Sequence, residues 1–219
     1  MSLLEKLFGS QSSSTLIESA FSDIESMLSH SKRMLEAALA NLLDNEELSE
    51  DLDRLDDAVD QGEQLVRRAV LQHLTVDPKT DLVPSLILVS IVQDCERIGD
   101  FARGLGDITA LAKAPREGEF RERLNSCRRA LLPLFEQTSE AFTGDQVNKA
   151  QAVVELASEI KESLTQTVHD VAASDLSADM AVVYSASARI LARVSSHLSN
   201  VCSTVVQPYD RMRHGDEDA

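Results

Sequence analysis

"IVQDCERIGDFARGLGDITALA", residues 91–112, sets acidic side chains at Asp94, Glu96, Asp100 and Asp107 into a segment whose apolar residues recur with the period of a helix. On an ideal helix Ile91, Ile98, Ala102 and Leu105 form one line, and Glu96, Asp100, Arg103 and Asp107 form the line beside it. The acids border a core-facing stripe and lie outside its centre. A solvated edge, with Arg97 and Arg103 as ion-pair partners, accounts for this through contacts that are individually weak. A metal site accounts for it only if a second set of acids faces the first.

Outward from this stretch the chain reads as helical. Aromatic residues make up 4% of the 219 residues and Trp is absent, while Ala, Leu, Ser, Glu and Asp are abundant, a composition suited to helices packed by aliphatic side chains. After Ser10–Ser14, apolar residues from Ile17 to Leu42 predict a long amphipathic helix. Leu52, Leu55, Val59, Gly62, Val66, Ala69 and His73 step by threes and fours along a second. "TVDPKTDLVP" supplies a turn, and a third helix, with Pro84 tolerated in its first turn, is expected to run to about Lys113. The pattern then repeats. Leu124 to Ala141 stripe a fourth helix, Val147 to Val168 a fifth, and Val183 to Val205 a sixth that stops at Pro208. The fold expected is all-α, a tandem repeat of two antiparallel three-helix bundles over residues 15–114 and 118–207. A flexible N-terminal segment, 1–14, and a disordered acidic tail, 208–219, are expected to flank them.

A formal net charge of -16, with no long basic stripe, argues against a nucleic-acid ligand. Cys95, Cys127 and Cys202 form no C-x-x-C pair, so neither a disulfide framework nor a thiolate zinc site is indicated. "MSLLEKLFGSQSSS" is too poor in apolar residues for a signal peptide, and no run of about 18 apolar residues follows. A soluble, cytoplasmic protein is expected.

The second set of acids exists. Asp56 and Asp60 are four residues apart on the second helix, with Asp57 and Glu63 beside them. Two such pairs facing one another would crowd carboxylates into a small volume, where a hard or borderline cation such as iron, manganese, magnesium or zinc would hold them. A ferritin-like di-iron centre would also need Glu-x-x-His, and none of the histidines has Glu three residues before it.

At this point the sequence resembles a family. "ERIGD", Glu96 to Asp100, late in the third helix of a repeated trio, looks like the motif of PhoU, the bacterial regulator of phosphate uptake and phosphate signalling, whose pattern is roughly E-R-I-x-D-H followed by N-I-x-E. "LARVSSHLSN", residues 191–200, is similar to a second copy, keeping Leu191, Arg193, His197 and Asn200. The resemblance implies two three-helix bundles, multinuclear metal clusters held by paired E(D)-x-x-x-D motifs, and a role without known catalysis beside a phosphate transporter and its sensor kinase. Carried over by position, it implies metal ligands at Asp56, Asp60, Glu96, Asp100 and Asp107. The departures are as informative. Phe101 stands where the family has His and Gly104 where it has Asn. Ala192 and Ser196 fill both ligand positions of the second copy, and Lys161 lies where the fifth helix is expected to present its acid. A divalent or trivalent metal is therefore expected in the first repeat only.

His197 reads either as a packed, hydrogen-bonded residue or as a remnant of a family site. Arg121, Arg128 and Arg129 are a candidate partner-docking surface, although neighbouring acids such as Glu117, Glu119 and Glu122 offer them a solvated, self-paired alternative. No glycine-rich phosphate loop, nucleophile–base pair or histidine-ligated open metal site supports an enzyme. The expected partners are a phosphate transporter ATPase or a sensor histidine kinase, with a homodimer and only indirect membrane contact. An accessory role to a sodium–phosphate symporter or a potassium channel is the rival reading.

Overall fold

The computed structural model describes residues 15–144 and 146–207, so the expected N-terminal segment and acidic tail lie outside the described residues. The described residues form six long helices and no strands: α1 Thr15–Leu43, α2 Leu52–Val76, α3 Leu82–Thr109, α4 Gly118–Thr143, α5 Val147–Ala172 and α6 Ala178–Val206. Their short connections turn each helix back along its predecessor. α1, α2 and α3 pack on one another, α4, α5 and α6 do the same, and the two trios join through α3 against α6 and α1 against α4.

Local chemistry fixes the boundaries. α2 starts at Asp51, whose Oδ1 accepts from Arg54 N at 3.1 Å. In the following turn Asp77 Oδ1 accepts from Lys79 N (3.3 Å) and Thr80 N (3.2 Å), and the Thr80 side chain first, then these backbone bonds, hold its carboxyl below the usual carboxylate range. α3 ends at Thr109, earlier than the expected Lys113. Thr109 Oγ1 donates back to Leu105 O (2.8 Å), and Leu111 N and Ala112 N then bond three residues back (3.1 Å each), which tightens the last turn out of α geometry. Pro133 sits within α4 without ending it. Its missing N–H would have met Arg129 O, and both residues are on the exposed side of the helix, where the freed carbonyl is not buried.

The core is aliphatic. Leu28, Leu35 and Leu39 of α1, Leu55, Val59 and Val66 of α2, and Leu88, Ile91 and Ile98 of α3 fill the first trio; Leu131, Leu164, Leu191 and Leu198 are among those filling the second. Phe21 stacks on Phe142 with centroids 5.1 Å apart, closing α1 on α4.

Polar groups hold the central contact of α3 with α6. Asp94, buried at 6% exposure, lies 2.7 Å through Oδ1 from His197 Nδ1 and accepts from Asn200 Nδ2 at 2.8 Å. The His197 ring stacks on Phe101 with centroids 5.6 Å apart. Phe101 and His197 occupy the same place in the two motif copies, so the repeats meet here through matching positions. His197 is thus a packed, hydrogen-bonded residue, and Asp94 belongs to the interior of the molecule rather than to the outer acidic line.

Asp94→Ala would leave a buried imidazole and amide without their acceptor and should lower the unfolding free energy by about 3 kcal/mol. Asp94→Asn, which keeps an acceptor for Asn200, should cost less. Urea unfolding at pH 7 reads both, and a loss below about 1 kcal/mol for the alanine variant would show that the link contributes little.

Candidate functional site

The outer face of the α2–α3 hairpin carries the acids. The seam residues Leu55, Val59 and Gly62 are buried, which turns Asp56, Asp60 and Glu63 toward α3. There Ile98, Gly99 and Ala102 are buried in the same way, leaving Glu96, Asp100 and Arg103 to meet them. Arg103 is the cation at the centre of the arrangement. Its Nε donates to Asp56 Oδ2 at 2.8 Å, and its Nη atoms lie 3.6 Å from Asp100 Oδ1 and 4.0 Å from Asp53 Oδ1. Glu63 pairs along α2 with Arg67 at 2.7 Å.

Crowding shows in the protonation of the group that Arg103 does not reach. Glu96 is pushed up to about 7, first by burial and then by the charges of Asp100, Glu63 and Asp60, with Arg97 opposing them. Asp56 is raised as well, by burial, although Arg103 draws it back. Asp56, Asp60, Glu96 and Asp100 are therefore brought together, and Glu63 joins them. Asp107 does not. It is exposed, two turns beyond Asp100 and about 10 Å farther along the helix. Among the described residues, no group of three or more His, Cys, Asp or Glu side chains is drawn close enough to hold a metal ion. The donor type fits a hard cation, and in the side-chain arrangement present the neutralising charges are Arg103 on Asp56 and Asp100, Arg67 on Glu63 and Arg97 near Glu96.

The second repeat inverts this chemistry. Matched step for step, the seam Leu55, Val59, Gly62 and Val66 corresponds to Val153, Ala157, Ile160 and Leu164. That match sets Val154, Ser158 and Lys161 against Asp56, Asp60 and Glu63. On α6, Ala192, Ser196 and Ser199 stand against Glu96, Asp100 and Arg103. Val154, Ser158, Lys161, Ser196 and Ser199 line a shallow cavity of about 230 Å³, in which no carboxylate takes part. Ser196 Oγ donates to Ala192 O at 3.0 Å.

Of the arginines expected to dock a partner, Arg121 and Arg128 reach across to the end of the first helix, while Arg129 is exposed and bonds within its own helix. Arg121 donates from Nε to Leu43 O, at the end of α1, and from Nη2 to Asp44 Oδ1 (3.3 Å). Arg128 Nη1 donates to Asp44 Oδ2 at 2.6 Å, and Arg129 Nη2 donates to Ser126 Oγ at 3.1 Å.

Comparison with known proteins bears on this face. Residues 24–109, which carry the whole acidic arrangement, match the family model described as the PhoU domain. The match is to these residues, and over 87% of its length the chain has the fold of solved PhoU structures. Two crystal structures share it. One is the phosphate transport system regulatory protein PhoU from Streptococcus pneumoniae, with TM-score 0.73 and 21% identity over 87% of this chain and 95% of that one. The other is PhoU from Pseudomonas aeruginosa, with TM-score 0.76 and 19% identity over the same shares. Compared by sequence, the chain matches no curated protein. Among the described residues no helix is long and apolar enough to cross a membrane.

The titration of Glu96 tests the acidic face directly. Its value near 7 stands above the ordinary 4.5, so the folded state binds this proton more tightly than the unfolded chain does. The resulting stabilisation is full below about pH 4.5 and is lost as pH rises through 7. Carboxyl-resolved NMR should place its midpoint near 7. Glu96→Gln should leave the melting temperature almost unchanged at pH 5 and raise it at pH 8. A difference that fails to grow between those two pH values would contradict the crowding.

Proposed function

We propose that the protein is a non-enzymatic, PhoU-like regulator of phosphate uptake and phosphate-responsive signalling. It acts in the cytoplasm by protein contacts with a phosphate transporter ATPase or a sensor histidine kinase. What supports this reading is the PhoU-domain match over residues 24–109 together with the acidic face built on "ERIGD" within it. A regulator that works by binding needs a rigid surface of distinctive charge and no reacting constellation, and the α2–α3 face has that character.

A metal ion at this face is part of the proposal. Asp56, Asp60, Glu96 and Asp100 would hold it, Glu63 being the nearest further donor, and Arg103 would have to give up Asp56 to make room. A divalent or trivalent cation would supply the charge that the guanidinium now provides, and would return Glu96 to the ionised form at neutral pH. The second repeat, with Ala192, Ser196 and Lys161 at the matching places, would take none.

Elemental analysis of protein purified without chelator should find iron, zinc, manganese or magnesium, and Glu96→Ala combined with Asp100→Ala should abolish it. Added metal should raise the wild-type melting temperature by mass action and EDTA should lower it. Metal content that survives the double substitution would place the ion elsewhere. In cells, deletion of the gene should disturb phosphate uptake and phosphate-responsive expression. Normal phosphate control in the deletion strain, with altered potassium or sodium-coupled transport, would move the role to another transporter.

A further inference from the structure

Branched apolar side chains lie exposed at one end of the α2–α3 hairpin: Leu71 at 68%, Val76 at 84%, Leu82, Val83 and Val89 at 45% each, and Leu86 at 36%. Scattered exposed leucines are ordinary, but a contiguous apolar patch on a soluble bundle marks an interaction surface. Along α3, Leu82, Leu86 and Val89 lead by steps of four and three into Gln93, Glu96 and Asp100. The apolar end and the acid cluster are therefore two halves of one helix face. α2 runs antiparallel beside it and brings Leu71 alongside the apolar half and Glu63, Asp60 and Asp56 alongside the acidic half.

We propose that this face, when no metal ion occupies its acids, docks one amphipathic helix of a partner protein, apolar along one half and rich in Lys or Arg along the other. From Leu82 to Asp100 is about 27 Å of helical rise, the length of a helix of about 18 residues. The acidic half already shows the mode of recognition: Asp56 and Asp100 hold a guanidinium, that of Arg103, and Asp60 and Glu96 remain beyond its reach. The apolar half supplies area for anchors spaced i, i+3, i+4 on the incoming helix. A membrane surface suits the face poorly, because anionic headgroups would meet the acids. A second copy of this chain could match only the apolar halves and would leave both acid clusters bare. The identity of the partner rests on the regulatory reading above. Cytoplasmic segments flanking membrane spans are enriched in Lys and Arg, so a transporter or membrane-bound kinase presents helices of this chemistry.

The test uses the full chain in EDTA and three fluorescein-labelled synthetic 20-residue helices. The first carries Leu on one face of its first half and Arg on the same face of its second; the second has Glu for Arg; the third has Ser for Leu. Anisotropy should show micromolar binding of the first alone. Leu86→Ser with Val89→Ser should weaken it about tenfold or more, as expected for loss of central apolar anchors. Asp60→Asn with Glu96→Gln should weaken it comparably and flatten its salt dependence. All four residues lie on the outer face, and circular dichroism should confirm that helicity is kept. Equal binding of the Glu-containing helix, or wild-type affinity in both double variants, would overturn the proposal. So would binding to phosphatidylserine vesicles, or a concentration-dependent dimer, that Leu86→Ser with Val89→Ser abolishes, since either would give the apolar half a different occupant. Normal phosphate control in the deletion strain alongside tight helix binding would sink the regulatory reading and leave the docking face standing.

Discussion

A buried carboxylate governs how the molecule is put together. Asp94 sits between α3 and α6, held by His197 and Asn200 from more than a hundred residues away in the chain. Burial of such a group is unfavourable unless its partners are in place, so sliding α3 against α6 would leave a buried carboxyl without the groups that hold it. The helix has three committed sides: one packed into its own trio, one on α6, and the remaining one turned to solvent. The direction in which Glu96 and Asp100 point follows from the other two.

The crowding of the outer acids has its cause in the backbone beneath them. A Cβ at Gly62 would lie 2.5 Å from Met27 Cγ, so α2 approaches α1 as closely as it does only because the position is glycine. At Gly99, the variable position of "ERIGD", a Cβ would meet Val59 Cγ1 at 3.2 Å, and α2 and α3 are drawn together there as well. Close helices bring their flanking side chains close. The carboxylates are pressed together by packing that is favourable for other reasons, and the opposing electrostatic cost is met partly by Arg103 and partly by the proton on Glu96. This separates the acidic face from an ordinary solvated helix edge, where long side chains spread apart at little cost.

Much of this was legible in the sequence. Apolar stripes of period 3.6 mark all six helices and their repetition, and spacing shows the pairs Asp56/Asp60 and Glu96/Asp100 on two helices without fixing that they face one another. What escaped did so for identifiable reasons. Asp94 is close to Glu96 in sequence but not on its face, since two residues on a helix are about 200° apart. Its place in the line Ile91, Asp94, Ile98, Ala102, Leu105 was the available signal. Glu63 lies beside the cluster in sequence, and its reach into it depends on how closely α2 and α3 approach. Nothing local in the sequence reveals that the connection after α3 carries Arg121 and Arg128 to Asp44. The exposed stripe at Leu82, Leu86 and Val89 was hidden by its neighbours: "LVPSLILV" is apolar on every side, and periodicity cannot say which side stays bare.

The end of α1 shows what the junction between the repeats does. Its last carbonyls, at Asn41, Leu42 and Leu43, receive the guanidinium groups of Arg116 and Arg121, so a helix of the first repeat is capped by residues at the entry to the second. Positive charge at that terminus also opposes the negative end of the helix dipole. The stretch from Ala110 to Glu117 thus differs from a tether between autonomous modules, since the chain passing through it completes the hydrogen bonding of the helix it left behind. For circular permutation or the insertion of a reporter domain, this is the connection to leave uncut, and the turn after α5, which carries no such duty, is the better place to open the chain.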